Sequence, residues 1–473
     1  NQCGEDGSVF RIFRAISPGF PKARSQYRIK RLLSGSLDIT LTSDPDELKD
    51  QLICMFPPEK EGIELFFKDA LKIAKAMKSM SDNFKSMQVR SFSDKIVHGF
   101  RLGRFCMALM PHVFYSGDEG VEKGLKKYFK DPELRKIWSA ENDMLSCLIP
   151  VAWAYNGDFQ FPPDGGGQVF PKWLESVVNE CGGDIFYSSK AVRIIDDGVS
   201  ATSVAAEMSG REVQLKARYV VASCDVETLY EKIMRPELSK PDFLEKLKNA
   251  DLYSSAVSVS IGLDCPAQQL GFGEELLLIS RDDIARKEHN GGDPHRTDIT
   301  VLAPSVRDGS MAPEGKGTLT IYAPAYFSHF DNWGTEVDEK GTVVRGDRYR
   351  QIKKEFAEIL IDRVEKKLGI DIRSHISVMD IATPVTYHRY TGNREGIMMG
   401  ARPGKNNYKA KIAHYRTPLK NVFLSGHWSN LGGGVPIAVS TAVNTTLMIL
   451  KNENANEFVK LCRLLDKNCY CQD

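Results

Sequence analysis

Apolar residues in the first third of this chain recur three and four positions apart. Leu48, Leu52 and Ile53 are followed by Ile63, Phe66, Phe67, Ala70, Leu71, Ala74 and Met77, a spacing that gathers side chains on one face of a helix. Asp44 as N-cap, Pro45 at the first helical position and Glu47 in capping-box position predict where the first of these helices begins, and Pro57-Pro58 predict its end. Residues 31–160 therefore read as mostly helical, with a short strand at 37–41 (LDITL), and the basic stretch 1–30 reads as irregular.

The pattern changes at Phe161-Pro-Pro-Asp-Gly-Gly-Gly167. A helix is predicted over 168–180, stopped by Gly182-Gly183. Short strand patterns follow at 184–187, 191–195, 202–208, 212–216 and 219–223, with Ser209-Gly210 as a hairpin turn. More strands are predicted at 254–264, 276–280, 298–303, 319–324 and 376–382. An amphipathic helix over 347–368, ended by Gly369, lies between the last two. Near the end, 421–426 (NVFLSG) reads as a buried strand and 436–450 as a helix, separated by three glycines at 432–434. A glycine-rich helix opening thus occurs twice, at 165–170 and at 432–438.

Composition narrows the class. The 473 residues are 42% hydrophobic and 26% charged, ordinary for a globular protein, and suggest two or three domains. Lys+Arg 63 against Asp+Glu 62 leaves no net field to attract nucleic acid. The ten cysteines are scattered and read as reduced thiols of a cytoplasmic protein. Cys462, Cys469 and Cys471 cluster at the tail without a CxxC or a fourth ligand, so no metal site is expected. Two uncharged runs, 105–117 and 144–157, are too short to cross a bilayer. Burial in a core is the first reading for them. Contact with a membrane surface is the second, with Arg101 and Arg104 beside anionic headgroups.

The second glycine stretch has a chemical rationale. Glycine lets a bulky ligand approach the backbone, and Pro436 loses no hydrogen bond in a first helical turn. The helix start carries unpaired N–H groups and a partial positive charge, which suits a phosphate or a ligand that becomes anionic. A flavin meets that description when reduced. The plain alternative is a glycine loop that packs a C-terminal helix.

Four blocks resemble the FAD-dependent carotenoid desaturase, carotenoid isomerase and retinol saturase group, within the amine-oxidase-like flavoproteins: "PPDGGGQVFPKWLESVVNECGGDIFYSSKAVRII", "YVVASCDVETLYEKIM", "DIATPVTYHRYTGNREGIMMG" and "NVFLSGHWSNLGGGVPIAVSTAV". The resemblance implies an α/β fold with a discontinuous, Rossmann-like FAD-binding domain and a substrate domain of mixed sheet plus helices. On that reading 1–30 belongs to the FAD-domain region, 31–160 and 251–404 to the substrate domain, 161–250 and 405–452 to the FAD domain, and 453–473 is a tail. It also implies cofactor contacts. Val192 would touch the adenosine half of FAD, and Gly426 and His427 the pyrophosphate and ribitol. The backbone around Gly433, Gly434, Val435, Pro436 and Ala438 would face the flavin ring.

One departure stands out. The strand–GxGxxG–helix with a following acidic residue, which opens such proteins, occurs nowhere in the sequence. The expectation is that this nucleotide-binding half lies outside the sequence, the alternative being true loss, and that the chain alone binds FAD weakly.

The implied activity is oxidoreduction or isomerisation at C–C or C=C bonds of a carotenoid, retinoid or related isoprenoid lipid. The rivals are a non-catalytic scaffold that binds a lipid or partner, and an amine-oxidase-like enzyme. No HExxH or GxSxG motif offers other chemistry. His388, Arg389 and Tyr390 are the polar candidates by analogy, set against a plain turn over 387–393.

Overall fold

The computed structural model describes residues 2–5, 7–81, 84–339 and 342–465; Cys469 and Cys471 lie outside them. In chain order, the elements that position the site begin with α1 (Ser8–Ile16), the hairpin β1 (Arg28–Ser34) and β2 (Leu37–Thr42), and helices α2 (Pro45–Met55), α3 (Lys60–Ser81), α4 (Phe92–Val113), α5 (Met144–Tyr155) and α6 (Val169–Glu180). A meander follows: β3 (Ser189–Asp196), β4 (Ala201–Met208) and β5 (Arg211–Lys216). After β6 (Val220–Ala222) come β7 (Ser255–Leu263), β8 (Leu276–Ser280), β9 (Ile299–Leu302), β10 (Gly317–Ala325), α7 (Asp347–Leu368), β11 (Ile376–Ala382) and α8 (Pro384–Thr391). The chain closes with β12 (Val422–Leu424), α9 (Val435–Glu453) and α10 (Ala455–Leu465).

The largest sheet has seven strands in the order β11-β7-β10-β9-β8-β1-β2; β8 and β1 run parallel and the other neighbours antiparallel. Alternation sorts its faces. Val257, Val259 and Ile261 of β7 and Leu319, Ile321 and Ala323 of β10 share one buried cluster with Phe356, Leu360, Ile361 and Val364 of α7. Each such side chain contributes about 1.5–3 kcal/mol on burial. Gly369, at φ +67°, ends α7 in the left-handed conformation expected of a glycine C-cap. The in-between positions Ser258, Thr300 and Tyr322 are half-buried on the opposite face.

Helices α2, α3 and α5 form a second core through Leu52, Ile63, Phe66, Ala70 and Leu148. Asp44 caps α2 by accepting from the Asp46 N–H at 3.0 Å. Glu47 does not complete a capping box. Its carboxylate accepts from the hydroxyls of Thr42 (2.7 Å) and Tyr27 (2.5 Å), which fastens the helix to the hairpin instead. Among the described residues no helix is long and apolar enough to cross a membrane.

Three local expectations are corrected. Residues 1–30 are not irregular: Val9, Ile12 and Phe13 are buried on α1, in a cluster shared with Leu447 and Met448 of α9 and Leu465 of α10. Residues 184–187 pair with no strand. Residues 387–391 are helical, because Pro384 and the Thr383 cap start α8 and Gly392, at φ +72°, ends it. The hairpin turn at Ser209-Gly210 matches its expectation, with φ +49° and +75°.

Candidate functional site

The short parallel pair β6–β12, with Val220 opposite Val422 and Ala222 opposite Leu424, delivers the chain to the second glycine stretch. Gly426 follows at φ +83°, and its N–H donates to Thr441 Oγ1 at 2.9 Å. The Thr445 hydroxyl donates to the Leu424 carbonyl at 2.8 Å. Two small hydroxyls on α9 thus hold the helix against the strand end, which explains the run of small residues there. Trp428 is 5% exposed and belongs to the core. His427 is half-buried, and burial lowers its pKa, so the ring stays neutral at neutral pH.

Gly432 and Gly434 take φ +117° and +81°, conformations that cost an L side chain about 1–2 kcal/mol. Gly433 is required for another reason: a Cβ there would fall on the side chain of Met399. Gly400 also packs closely, since its Cβ would lie 2.9 Å from the His427 carbonyl oxygen. The Gly432 N–H donates to the Ala401 carbonyl at 3.3 Å. Segment 399–401 is therefore the floor of the glycine loop, and Met399 packs there. Above the floor the backbone is open. Gly434, Val435 and Ala438 are exposed, no side chain caps the start of α9, and a Cβ on Gly434 would meet nothing nearer than Pro436 Cδ at 3.7 Å. A flat ligand fits this edge, with the positive end of a 19-residue helix behind it.

A cavity of about 850 Å³ lies against the polar face of the seven-stranded sheet. Leu278, Thr300 and Tyr322, cross-strand neighbours, line it from the sheet, and Lys30, Glu141 and Arg402 also belong to its lining. Arg402 follows Ala401, so one segment links the glycine loop to the cavity lining. Burial raises the Glu141 pKa, with Asp143 and Asp298 reinforcing the shift against Lys30 and Arg286. Burial likewise pushes the Tyr322 phenol up to about 12.

The other sequence candidates fall elsewhere. Val192 sits half-buried beside a bulge in β3, in the meander. His388 shares a hydrogen bond between Nδ1 and the Asn393 carbonyl at 2.9 Å, so Nδ1 carries the proton, and its ring packs edge-on against Phe327. Arg389 and Tyr390 are exposed, with the guanidinium lying over the Tyr390 ring. The structure does not bring these three to the glycine loop as a set. Sequence reasoning missed Glu141, Tyr322 and Arg402. It also missed Asp225, a buried carboxyl whose Oδ1 has no hydrogen-bond partner in the structure. The alternation SVS in β7 and TLTIY in β10 was the available signal for a polar sheet face.

Residues 122–446 match the family model of flavin containing amine oxidoreductases. The chain belongs to that family. FAD is therefore its cofactor, and the open glycine edge fits it. Relatives include all-trans-retinol 13,14-reductase of Danio rerio, 24% identical over 280 residues, covering 56% of this chain and 45% of that protein. The chloroplastic prolycopene isomerase of Arabidopsis thaliana is 24% identical over 384 residues, 77% of this chain and 58% of that protein. The 4,4'-diapolycopen-4-al dehydrogenase of Metabacillus indicus is 25% identical over 422 residues, with 85% and 76% covered. The chain spans 45% and 58% of the length of the first two of these curated relatives. A solved variant of putrescine oxidase has the same fold, with TM-score 0.54 at 12% identity, covering 95% of this chain and 86% of that one.

Proposed function

We propose that the protein is a FAD-dependent oxidoreductase acting on C–C or C=C bonds of a carotenoid, retinoid or related isoprenoid lipid, by desaturation, saturation or isomerisation. One observation carries the reading: segment 399–402 joins the two features, with Met399 and Ala401 packed on the glycine loop and Arg402 in the lining of the 850 Å³ cavity. Segments 161–250 and 405–452, joined by the β6–β12 pair, form the FAD domain in this proposal, with 1–30 beside them and 453–473 as a tail. Segments 31–160 and 251–404 form the substrate domain.

Gly433, Gly434, Val435, Pro436 and Ala438 would hold the flavin ring, Gly426 and His427 the pyrophosphate and ribitol, and Val192 the adenosine half. When bound, FAD supplies hydride transfer. The chain's own task is to orient the substrate and exclude water. Adding hydrogen across C=C also needs a proton, and Glu141, whose pKa burial raises, lines the cavity as the candidate donor. His388, engaged with Asn393, serves to end α8.

The test is a visible spectrum of the full translation product purified with excess FAD. A bound oxidised-flavin spectrum that bleaches anaerobically with a polyene donor supports the proposal. Lipid binding without any flavin absorption identifies a non-catalytic scaffold instead.

We further propose that the enzyme docks on a membrane surface through α4. Phe92, Ile96, Phe100, Met107, Met110 and Phe114 fall within about 80° of one another at 3.6 residues per turn. All are exposed, Phe92 by 81% and Phe100 by 75%. Exposed Lys95 and Arg104 flank the stripe and suit anionic headgroups. Co-sedimentation with anionic vesicles should fall at least tenfold in F100D/M107D. Equal recovery of wild type and variant removes the idea.

A further inference from the structure

The far end of β7 carries donor groups that the flavin chemistry does not use. Asp264 and Cys265 follow the last residue of the strand, Leu263, which pairs with Ile376 at the start of β11. His375 immediately precedes Ile376. The Asp264 N–H donates to the His375 carbonyl at 3.0 Å, and the Asp264 carboxylate meets His375 Nδ1 at 2.8 Å. Cys265 is 9% exposed, and close packing of Gly317 on its carbonyl fixes its backbone. One carboxylate oxygen, one thiol sulfur and one imidazole nitrogen lie within 4.8 Å of one another.

We propose that Asp264, Cys265 and His375 bind a divalent transition-metal ion of the zinc or cobalt class, pinning the edge strand β11 to β7. A sulfur, nitrogen and oxygen set selects such borderline ions over magnesium or calcium. Tetrahedral zinc holds such donors about 3.2–3.7 Å apart, so the set, spanning at most 4.8 Å, must contract by about 1 Å on binding. Solvent supplies the open coordination position, since the Asp264 and His375 side chains are 52% and 38% exposed. The nearby cation Arg373 is committed to Glu358 and Glu365. Binding converts the Cys265 thiol to a thiolate and releases its proton to solvent, and the Nδ1 proton that His375 shares with Asp264 exchanges through solvent to Nε2, freeing Nδ1 for the metal. The site is independent of the flavin. Ser255, at the start of β7, bonds the Gly396 carbonyl at 2.6 Å, and Leu263 lies about 26 Å further along the strand.

The experiment is a Co²⁺ titration of the chelator-treated, full-length protein. The expected result is one equivalent bound, with near-ultraviolet thiolate-to-cobalt absorption, displacement by Zn²⁺ and a raised thermal midpoint. H375Q and D264N, both at exposed side chains, should bind at least tenfold more weakly, and C265S should lose the absorption. Absorption that persists in C265S belongs to other thiols and overturns the proposal. Unchanged affinity in H375Q and D264N overturns it as well, even if C265S fails to fold.

Discussion

The two glycine-rich helix openings share a grammar and differ in what stands before them. At the first, the Gly165 N–H donates to Asp308 Oδ2 at 2.7 Å. Asp308 is buried and also accepts from the Ser310 N–H and hydroxyl, at 3.0 and 2.6 Å. Burial works against its charge, but the bonds from Ser310 and Gly165 and the charge of Arg307 outweigh it and hold the carboxyl below its ordinary range. This opening already contains its anion. At the second, among the described residues, no carboxylate reaches Gly433, Gly434 or Val435, and the edge is open. Glycines before a helix mark a place where negative charge is welcome; whether a ligand is needed depends on whether the protein supplies that charge.

The sharpest way to break this contrast is Gly433→Val, which drives a side chain onto Met399. Flavin retained per protein after gel filtration should fall at least tenfold, and Met399→Ala alongside it should restore part of the loss. Asp308→Asn, at the first opening, should leave flavin content unchanged and cost about 1.5–3 kcal/mol in urea unfolding. Its pH dependence follows from a folded pKa below the unfolded one. The carboxylate's contribution is complete above the unfolded pKa, near 4, and disappears as pH falls through the lower folded value, so the variant should show a shallower acid slope. Thr441→Val, which orphans the Gly426 N–H, should cost about 1–2 kcal/mol by the same measurement. The smallest effect on stability belongs to Val435→Asp, which makes the second opening resemble the first. A first-turn carboxylate adds about 0.3–1 kcal/mol and should weaken flavin binding by occupying its electrostatic place.

Both openings were legible in the sequence because glycine and proline act locally. The same local signals at Thr383-Pro384 and Gly392 announced α8, and reading TYHRYTGN as a turn overlooked them. Strand β1 was hidden for a different reason. RIKRLLS carries Arg28, Lys30 and Arg31, and becomes a strand through pairing with its neighbour β2 on one edge and with β8 far along the chain on the other. The run 184–187 is the converse, strand-like in composition but without a partner.

The two uncharged runs show where periodicity stops informing. That of α5 is apolar on every side and six of its residues are buried, as a uniformly apolar helix should be. That of α4 continues a helix turned inside out, with His112 facing the core at 6% exposed and Phe114 outward at 74%. Spacing identifies an apolar stripe without saying which way it points. The cavity was least legible of all: Glu141, Tyr322 and Arg402 come from separate segments and no local pattern links them.

The Arg28 guanidinium meets the Glu275 carboxylate at 3.0 Å across 247 residues of chain, beside the parallel contact of β1 with β8. During synthesis the β1–β2 hairpin must therefore wait, one edge unpaired, until the segment around Glu275, 247 residues further on, has left the ribosome. Closing so long a loop makes assembly of this sheet a late and slow event. The interval in which an exposed strand can find a wrong neighbour is set by translation speed as much as by stability.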